Sequence, residues 1–384
     1  MEEAGYDIES QYHVLAFHRR YIIPRLGPVR QSKEAPMKWR SLMTDDFSPM
    51  EYSWNWDTPK SAPKIRYSIE AIGQFAGSTV DPVNQTSSLE LCREIASYSP
   101  KTDWTLFQTL QEALYDKSIG VHQIGVEPPE RSSSTSIMLA FELGSSIATK
   151  AYFFPLKAEQ RGISRLTLLK ETMNQLRSDT IPLNGFDQLL QFMQTTQGLK
   201  LGIICIAIDC VSPEQSRYKI YVRSPDTSFE RVCDMMSLGG RIDALTAVAR
   251  QNLKDLWRLT LGLDEHFDEN IELPSESHET AGVLYYFDIK AGNEMPKPKL
   301  YVPVRHYAPN DLAVARGLGE YLHSRNVDRY FPNYMRALEV SCDHRQLSKG
   351  SGFQTYIGVG IEKDGSLALC SYLNGEVYHP RRWS

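Results

Sequence analysis

The 384-residue chain is 41% hydrophobic and 23% charged, which is an ordinary composition for a globular protein. Its net charge of −5 and isoelectric point near 6.0 exclude an overall basic surface, so we expect no nucleic-acid partner. No run approaches the ~20 apolar residues of a membrane span, and the N-terminal stretch has no signal segment. With six scattered cysteines and no CxxC pair, we expect a cytoplasmic protein with reduced thiols and no membrane partner.

Short strands come in pairs along the chain, and each of the first four pairs is followed by two amphipathic helices. The strand pairs are predicted at 50–55 with 65–72, 136–143 with 149–155, 201–208 with 218–223, 282–289 with 299–305, and 355–361 with 367–373. The helices are predicted at 89–96, 104–115, 164–176, 186–195, a segment ending near 238, 241–260, 311–324 and 330–341. The charged stretch 157–162 is expected to be a turn, and Ser164 an N-cap.

This repeated unit predicts an α/β protein, a ten-stranded antiparallel β-barrel with a surrounding ring of α-helices. Strands joined by short loops pair antiparallel, and helices with one apolar face pack outside the sheet. No linker-like stretch interrupts the units, so residues 1–384 are expected to form a single domain. An open α+β sheet, or two sheets in two domains, is the alternative that the pattern leaves open.

Three strands carry a lysine, one spacer residue and a tyrosine. The motif occurs at Lys150 with Tyr152, at Lys219 with Tyr221, and at Lys299 with Tyr301. Residues two apart in a strand share a face, so each copy presents an ammonium beside a phenol. Arg66 and Arg217 also lie on strands. If helices cover the outside, these cations point into the lumen, where a diphosphate would match them; otherwise they face solvent on a half-buried sheet.

The last hairpin adds two more tyrosines, Tyr356 and Tyr372. An electron-rich ring attracts a cation by about 0.5–2 kcal/mol, so rings in register with the lysines would stabilise a carbocation and exclude water. Core filling with tethered hydroxyls is the alternative for these tyrosines.

Glu51 lies in the aromatic stretch PMEYSWNW. Burial there would raise its pKa, and its carboxylate could accept a hydrogen bond from an indole N–H or a phenol O–H. A surface glutamate on an edge strand is the alternative. His306, at the end of the VRHY strand, is expected to be structural.

The stretches PMEYSWNW, KIRYSIE, KAYFFP, RYKIYVR, KLYVPVRHY and the closing YIGVGI/CSYL hairpin resemble fungal aromatic prenyltransferases of the dimethylallyltryptophan synthase family. The resemblance runs from about Tyr12 to the C-terminus. It implies the family's prenyltransferase barrel of five ααββ units and a metal-independent, cofactor-free reaction of secondary metabolism. The small-molecule substrates would be dimethylallyl diphosphate and an aromatic acceptor. Whether the chain forms a homodimer is left open.

The resemblance also assigns roles. Glu51 resembles the glutamate that binds the acceptor in this family. The family's diphosphate-binding cations are matched by Arg66, Lys150, Arg217, Lys219 and Lys299, and its tyrosine shield by Tyr152, Tyr221, Tyr301, Tyr356 and Tyr372. Members that alkylate C4 of tryptophan carry a lysine in the strand before KAY, whereas residues 135–140 here contain none. The final proton acceptor and free tryptophan as substrate are therefore left open.

No DDxxD run of the kind that holds Mg²⁺ in other prenyl synthases is present. An indole compound, such as a cyclic dipeptide or an indole diterpenoid, is the favoured acceptor, and a polyketide-derived phenol is the runner-up. A non-catalytic barrel that binds an anionic aromatic metabolite remains the alternative of another class.

Overall fold

The computed structural model describes residues 1–29, 32, 35, 37–56, 61–99, 102–115 and 135–383. Ten strands form one closed barrel in these ranges. They are β1 (Met50–Trp56), β2 (Lys64–Ile69), β3 (Ile137–Glu142), β4 (Ala148–Phe153), β5 (Gly202–Asp209), β6 (Arg217–Ser224), β7 (Val283–Lys290), β8 (Lys297–Val302), β9 (Gln354–Ile361) and β10 (Leu367–Asn374). Consecutive strands pair antiparallel, and β1 closes the barrel against β10. The predicted barrel fold is thereby confirmed.

Helices surround the barrel. They are α1 (Ile8–Phe17), α2 (Thr86–Tyr98), α3 (Thr105–Leu114), α4 (Leu156–Arg161), α5 (Arg165–Leu176), α6 (Asn184–Met193), α7 (Phe229–Met236), α8 (Ala247–Leu261), α9 (Val304–Tyr307), α10 (Asp311–Ser324) and α11 (Phe331–Ser341). No helix in the described ranges is both long and apolar enough to cross a membrane. The Ser164 hydroxyl accepts from the Thr167 N–H, which confirms the predicted N-cap of α5.

Several boundaries differ from the sequence prediction, and three of these differences have clear local reasons. The stretch 157–162 is not a turn, because it forms most of α4, which ends at Arg161 and is capped by Gly162 with a left-handed φ of 62°. The helix predicted at 241–260 begins six residues later, where the Thr246 hydroxyl caps the Ala249 N–H. The strand predicted to reach residue 305 ends at Val302, because Pro303 lacks a backbone N–H for the ladder and precedes α9.

Alternate residues of each strand face the helices or the lumen. The helix-facing set, such as Phe153, Ile206, Ile220 and Phe287, is almost wholly buried and forms the main core. The lumen-facing set forms a second cluster whose centre is rich in tyrosine. The loops 143–147, 210–216, 291–296 and 362–366 lie at one end of the barrel, here named the hairpin end. The opposite end, where β1 begins, is named the Glu51 end.

Candidate active site

The five predicted cations all face the lumen. Cross-strand pairing places Ala140 and Asp209 beside Lys150, Asp288 beside Lys219, and Gly360 beside Lys299. These pairs share the lumen face because antiparallel strands align side chains of opposite residues. Arg66 lies opposite Glu142 and Arg217 begins β6, so the cations concentrate toward the hairpin end.

Three carboxylates, which the sequence analysis missed, interleave with these cations. Glu142 pairs with Arg66 at 2.8 Å and with Lys150 at 3.6 Å. The Asp209 oxygens accept from Arg217 Nε at 2.6 Å and from Lys219 Nζ at 2.7 Å. Asp288 lies 3.4 Å from Arg217. Strand alternation could have found them, since Asp288 shares a face with Tyr286 in VLYYFDIK, as Asp209 does with Ala207. Five cations against three carboxylates still leave an excess of two positive charges.

Lys299 differs from the other four cations because it makes no ion pair with any described residue. Its ammonium lies 5.9 Å from the ring centroid of Tyr286 and 5.8 Å from that of Tyr301. Burial lowers the pKa of Lys299, and the nearby Arg66 and Lys150 lower it further. The folded protein thus keeps a cation in an unfavourable environment, facing the lumen.

The pKa values of Asp209 and Lys219, which bond to each other, are both lowered, but for different reasons. Burial acts to raise the pKa of Asp209, but the neighbouring Lys219 and Arg217 outweigh it and hold that pKa at about 2. Burial lowers the pKa of Lys219 to about 8, although Asp209 opposes the shift. Both groups are therefore charged at neutral pH.

The five predicted tyrosines come together next to the cations. Tyr301 is central: its hydroxyl lies 3.2 Å from that of Tyr221 and 3.3 Å from that of Tyr372, and its ring centroid is 5.9 Å from that of Tyr356. Tyr152 packs on Tyr221 with centroids 5.7 Å apart. A sixth ring, Tyr286, was not predicted, although it lies 5.1 Å from Tyr221. The rings form a continuous aromatic lining above the cations.

Glu51 lies at the Glu51 end, beyond this lining. Its Oε1 accepts a hydrogen bond from the Thr355 hydroxyl at 2.7 Å. Burial raises the pKa of Glu51 to about 7, although Thr355 and Arg305 act in the opposite direction. The half-buried side chain is therefore not the surface glutamate of the alternative interpretation.

Arg305 is a residue of this end that the sequence analysis missed. Its side chain is only 5% exposed, its NH2 group donates to the Tyr356 hydroxyl at 2.9 Å, and its NH1 group lies 3.3 Å from Asp45. Its Nε lies 3.2 Å from Nε2 of His306, whose pKa burial lowers to about 4. The motif KLYVPVRHY contained Arg305, but it lies after the strand, where face alternation makes no prediction.

Two groups of side chains in the described ranges have the composition of metal ligands: Asp45 with His278 and His306, and Cys342 with His344 and Glu376. Each group already contacts a guanidinium. Arg305 pairs with Asp45 in the first, and Arg345 occupies both oxygens of Glu376 in the second. A cation of fixed charge beside these carboxylates disfavours a metal ion there.

Comparison with known proteins identifies the family. The family model described as tryptophan dimethylallyltransferase matches residues 1–337. The chain belongs to this family. Xanthone prenyltransferase B of Emericella nidulans is 30% identical to this chain, and the aligned region covers 100% of this chain and 86% of the relative. The 7-dimethylallyltryptophan synthase of Aspergillus fumigatus is 32% identical, and the aligned region covers 98% of this chain and 82% of that relative. The crystal structure of AnaPT from Neosartorya fischeri has the same fold, with a TM-score of 0.83 at 24% identity over 97% of this chain and 89% of that one.

As a dimethylallyltransferase, the chain is an enzyme and not the non-catalytic barrel of the alternative hypothesis. β3 is the strand in which C4-alkylating members were expected to carry a lysine, and here its Met138 faces the lumen opposite Tyr152. This dimethylallyltransferase therefore has no basic side chain on the lumen face of β3, which carries Met138, Ala140 and Glu142.

Proposed function

We propose that this enzyme transfers a dimethylallyl group from dimethylallyl diphosphate to a neutral aromatic acceptor. The observation that supports this most directly is the order of three layers along the lumen. Cations lie toward the hairpin end, tyrosine rings follow, and Glu51 lies at the opposite end. These layers match an anionic leaving group, a carbocation and a hydrogen-bond donor on the acceptor.

The chemistry follows from this order. The allylic C–O bond breaks, and its electron pair leaves with the diphosphate, whose charge the excess of cations stabilises; such electrostatic stabilisation is often the largest catalytic contribution. The allyl cation lies among ring faces that attract it and exclude water. A π-electron pair of the acceptor forms the new C–C bond, and a base or water then takes the proton from the same ring carbon, which restores the aromatic ring. Glu51 accepts a hydrogen bond from the acceptor N–H or O–H and thereby enriches the ring.

The Glu51 end favours an acceptor that carries no carboxylate. Arg305 is the cation nearest to Glu51 among the described residues that shift its pKa, and Asp45 and Tyr356 already engage it. The lumen side chains toward this end include the apolar Met138, Phe154, Ile204 and Leu284, and also the cation Arg223, which lies opposite Leu284 and already donates to the Thr280 carbonyl oxygen. Since a buried carboxylate without a cation is costly, tryptophan or tyrosine as a free amino acid would have to draw Arg223 away from that bond, whereas an acceptor without a carboxylate would not.

An indole compound without a free carboxylate, such as a cyclic dipeptide, is the first candidate acceptor. A phenolic polycycle is the second, and a relative named as a xanthone prenyltransferase favours it. Both have an N–H or O–H group from which Glu51 can accept a hydrogen bond.

We also propose that transfer needs no metal ion, because the lumen cations supply the charge that Mg²⁺ supplies elsewhere. The test is to incubate the purified enzyme with EDTA, dimethylallyl diphosphate and matched acceptor pairs: tryptophan against a tryptophan-containing cyclic dipeptide, and tyrosine against a hydroxyxanthone. A gain of one C5H8 unit on the uncharged member of a pair supports the proposal. Preference for the free amino acids would refute the acceptor class, and a requirement for added Mg²⁺ would refute metal independence.

A further inference from the structure

Asp209 is the only described residue that bonds to two of the lumen cations through two different oxygens. Its Oδ2 accepts from Arg217 Nε at 2.6 Å, and its Oδ1 accepts from Lys219 Nζ at 2.7 Å. It also lies opposite Lys150 in the pairing of β4 with β5. One carboxylate at the end of β5 thus fixes side chains of β6 and faces a third cation from β4.

The two bonded cations differ in how much they depend on Asp209. The Arg217 side chain is 42% exposed to solvent and has Asp288 as a further partner, whereas the Lys219 side chain is only 6% exposed. A guanidinium does not titrate near neutral pH, but a desolvated ammonium readily loses its proton. Lys219 is therefore the cation that would lose its proton if the negative charge of Asp209 were removed.

The charged groups around Lys219 come from four strands. Asp209 faces it from β5, Arg217 from its own strand β6, Lys150 from β4, and Asp288 from the opposite position on β7. Two of these neighbours are cations that favour the neutral amine, and Asp209 is the carboxylate in hydrogen-bond contact with it.

We propose that Asp209 is a positioning residue that clamps Arg217 and Lys219 together and preserves the charge of Lys219 until the diphosphate arrives. This role rests on the proposed function, because it requires that Lys219 contacts the diphosphate. The pKa values are consistent with it: Asp209, at about 2, stays ionised at every working pH, and Lys219, at about 8, stays protonated at neutral pH.

The proposal predicts a specific pH dependence. Lys219 is protonated below its pKa of about 8, so its contribution to diphosphate affinity is constant below that pH and is lost as the pH rises through it. Asp209→Asn removes the negative charge but keeps the size of the side chain. Because Arg217 and Lys150 remain, the pKa of Lys219 falls, and the loss of affinity begins at lower pH.

The experiment measures the dissociation constant of dimethylallyl thiolodiphosphate, a non-reacting analogue, by calorimetry across the pH range that brackets 8. In Asp209→Asn the pH at which affinity begins to fall should drop by about one unit or more. At a pH between the variant's value and the wild-type value, the variant should therefore bind the analogue roughly tenfold more weakly than wild type. Well below that range the variant should approach the wild-type affinity. Asp209→Glu retains the charge, so the fall in affinity at basic pH, here called the limb, should stay at the wild-type pH.

Two further variants separate this role from a general structural effect. Asp288 pairs with Arg217 and makes no hydrogen bond to Lys219, on which it acts only through space, so Asp288→Asn should shift the pH at which affinity falls by less than Asp209→Asn does. In Asp209→Asn combined with Lys219→Arg, the shift to lower pH that Asp209→Asn causes alone should disappear, since arginine does not titrate there. Equal weakening of Asp209→Asn at every pH, or an unchanged limb, would overturn the proposal for Asp209. Failure of the wild type to bind the analogue at any pH would instead overturn the proposed function.

Discussion

Replacing Lys299 by methionine tests the assignment of the diphosphate site most directly. The other four cations share carboxylate partners, so removing one of them also takes from Glu142 or Asp209 one of its two ion pairs. Lys299 has no such partner among the described residues, and methionine keeps most of its unbranched length. Its loss therefore removes an attraction for the diphosphate without creating a second defect.

The expected magnitude follows from the value of a charge-assisted contact. A hydrogen bond to a charged group contributes about 1.5–3 kcal/mol, and ~1.4 kcal/mol is a factor of ten. Lys299→Met should thus weaken thiolodiphosphate binding and lower kcat/KM for dimethylallyl diphosphate by roughly 10- to 150-fold. The free enzyme should melt at a higher temperature, because burial lowers the pKa of Lys299 and the folded state disfavours its ammonium at neutral pH.

Lys297 provides a matched control on the same strand. It is two residues away, 60% exposed and 3.5 Å from Glu362. Since an exposed ion pair is worth about 0–1 kcal/mol, Lys297→Met should change kcat/KM by less than about fivefold and leave the melting temperature nearly unchanged. If Lys299→Met kept full affinity for the analogue, or if the two variants lost affinity equally, Lys299 would not face the diphosphate.

Three other predictions concern the aromatic layer and the Glu51 end. Burial raises the pKa of Glu51 to about 7, so wild-type kcat/KM should fall as the pH drops through 7 and Glu51 takes up a proton. Glu51→Gln should lose this acidic limb and about 10²–10⁴-fold in rate. An unchanged pH–rate profile in this variant would show that Glu51 does not act on the acceptor. Arg305→Met should move the same limb to higher pH, because Arg305 lowers the pKa of Glu51; a limb that stayed in place would contradict this coupling. Tyr301→Ala should release more dimethylallyl alcohol per prenylated product than wild type, measured by chromatography, while Tyr301→Phe keeps the ring and should resemble wild type; equal water capture in both variants would argue against shielding by the ring.

The sequence predicted the parts of this molecule that depend on local periodicity. Alternation along the strands placed Lys150 with Tyr152 and Lys299 with Tyr301 on one face, and the helices on both sides of each hairpin implied that this face is the lumen. For Glu51, the surrounding aromatic stretch indicated a buried position, with a surface position as the alternative. These residues lie within regular strands, where the direction of a side chain follows from its position.

The remainder could not be predicted because it depends on contacts between distant segments. Arg305 follows Pro303 in a short helix, so no alternation fixes its direction, and its partner Asp45 lies 260 positions earlier. Trp39 donates to Glu70 at 2.7 Å, which brings the segment before β1 over the end of β2. Asp209 could be assigned to a face, but its choice of Arg217 and Lys219 as partners depends on the barrel register.

Burial in the lumen sets a narrow pH interval in which the acidic group at one end and the basic group at the other are both charged. It raises the pKa of the carboxylate at one end, Glu51, to about 7 and lowers that of the ammonium at the other end, Lys219, to about 8. Both charges coexist only where Glu51 has lost its proton and Lys219 still holds one. Between them, burial raises the pKa of Tyr221 and Tyr301, so the aromatic lining stays neutral and electron-rich across this interval. Substitutions at the Glu51 end should therefore move only the acidic limb of activity, and substitutions around Asp209 only the basic limb.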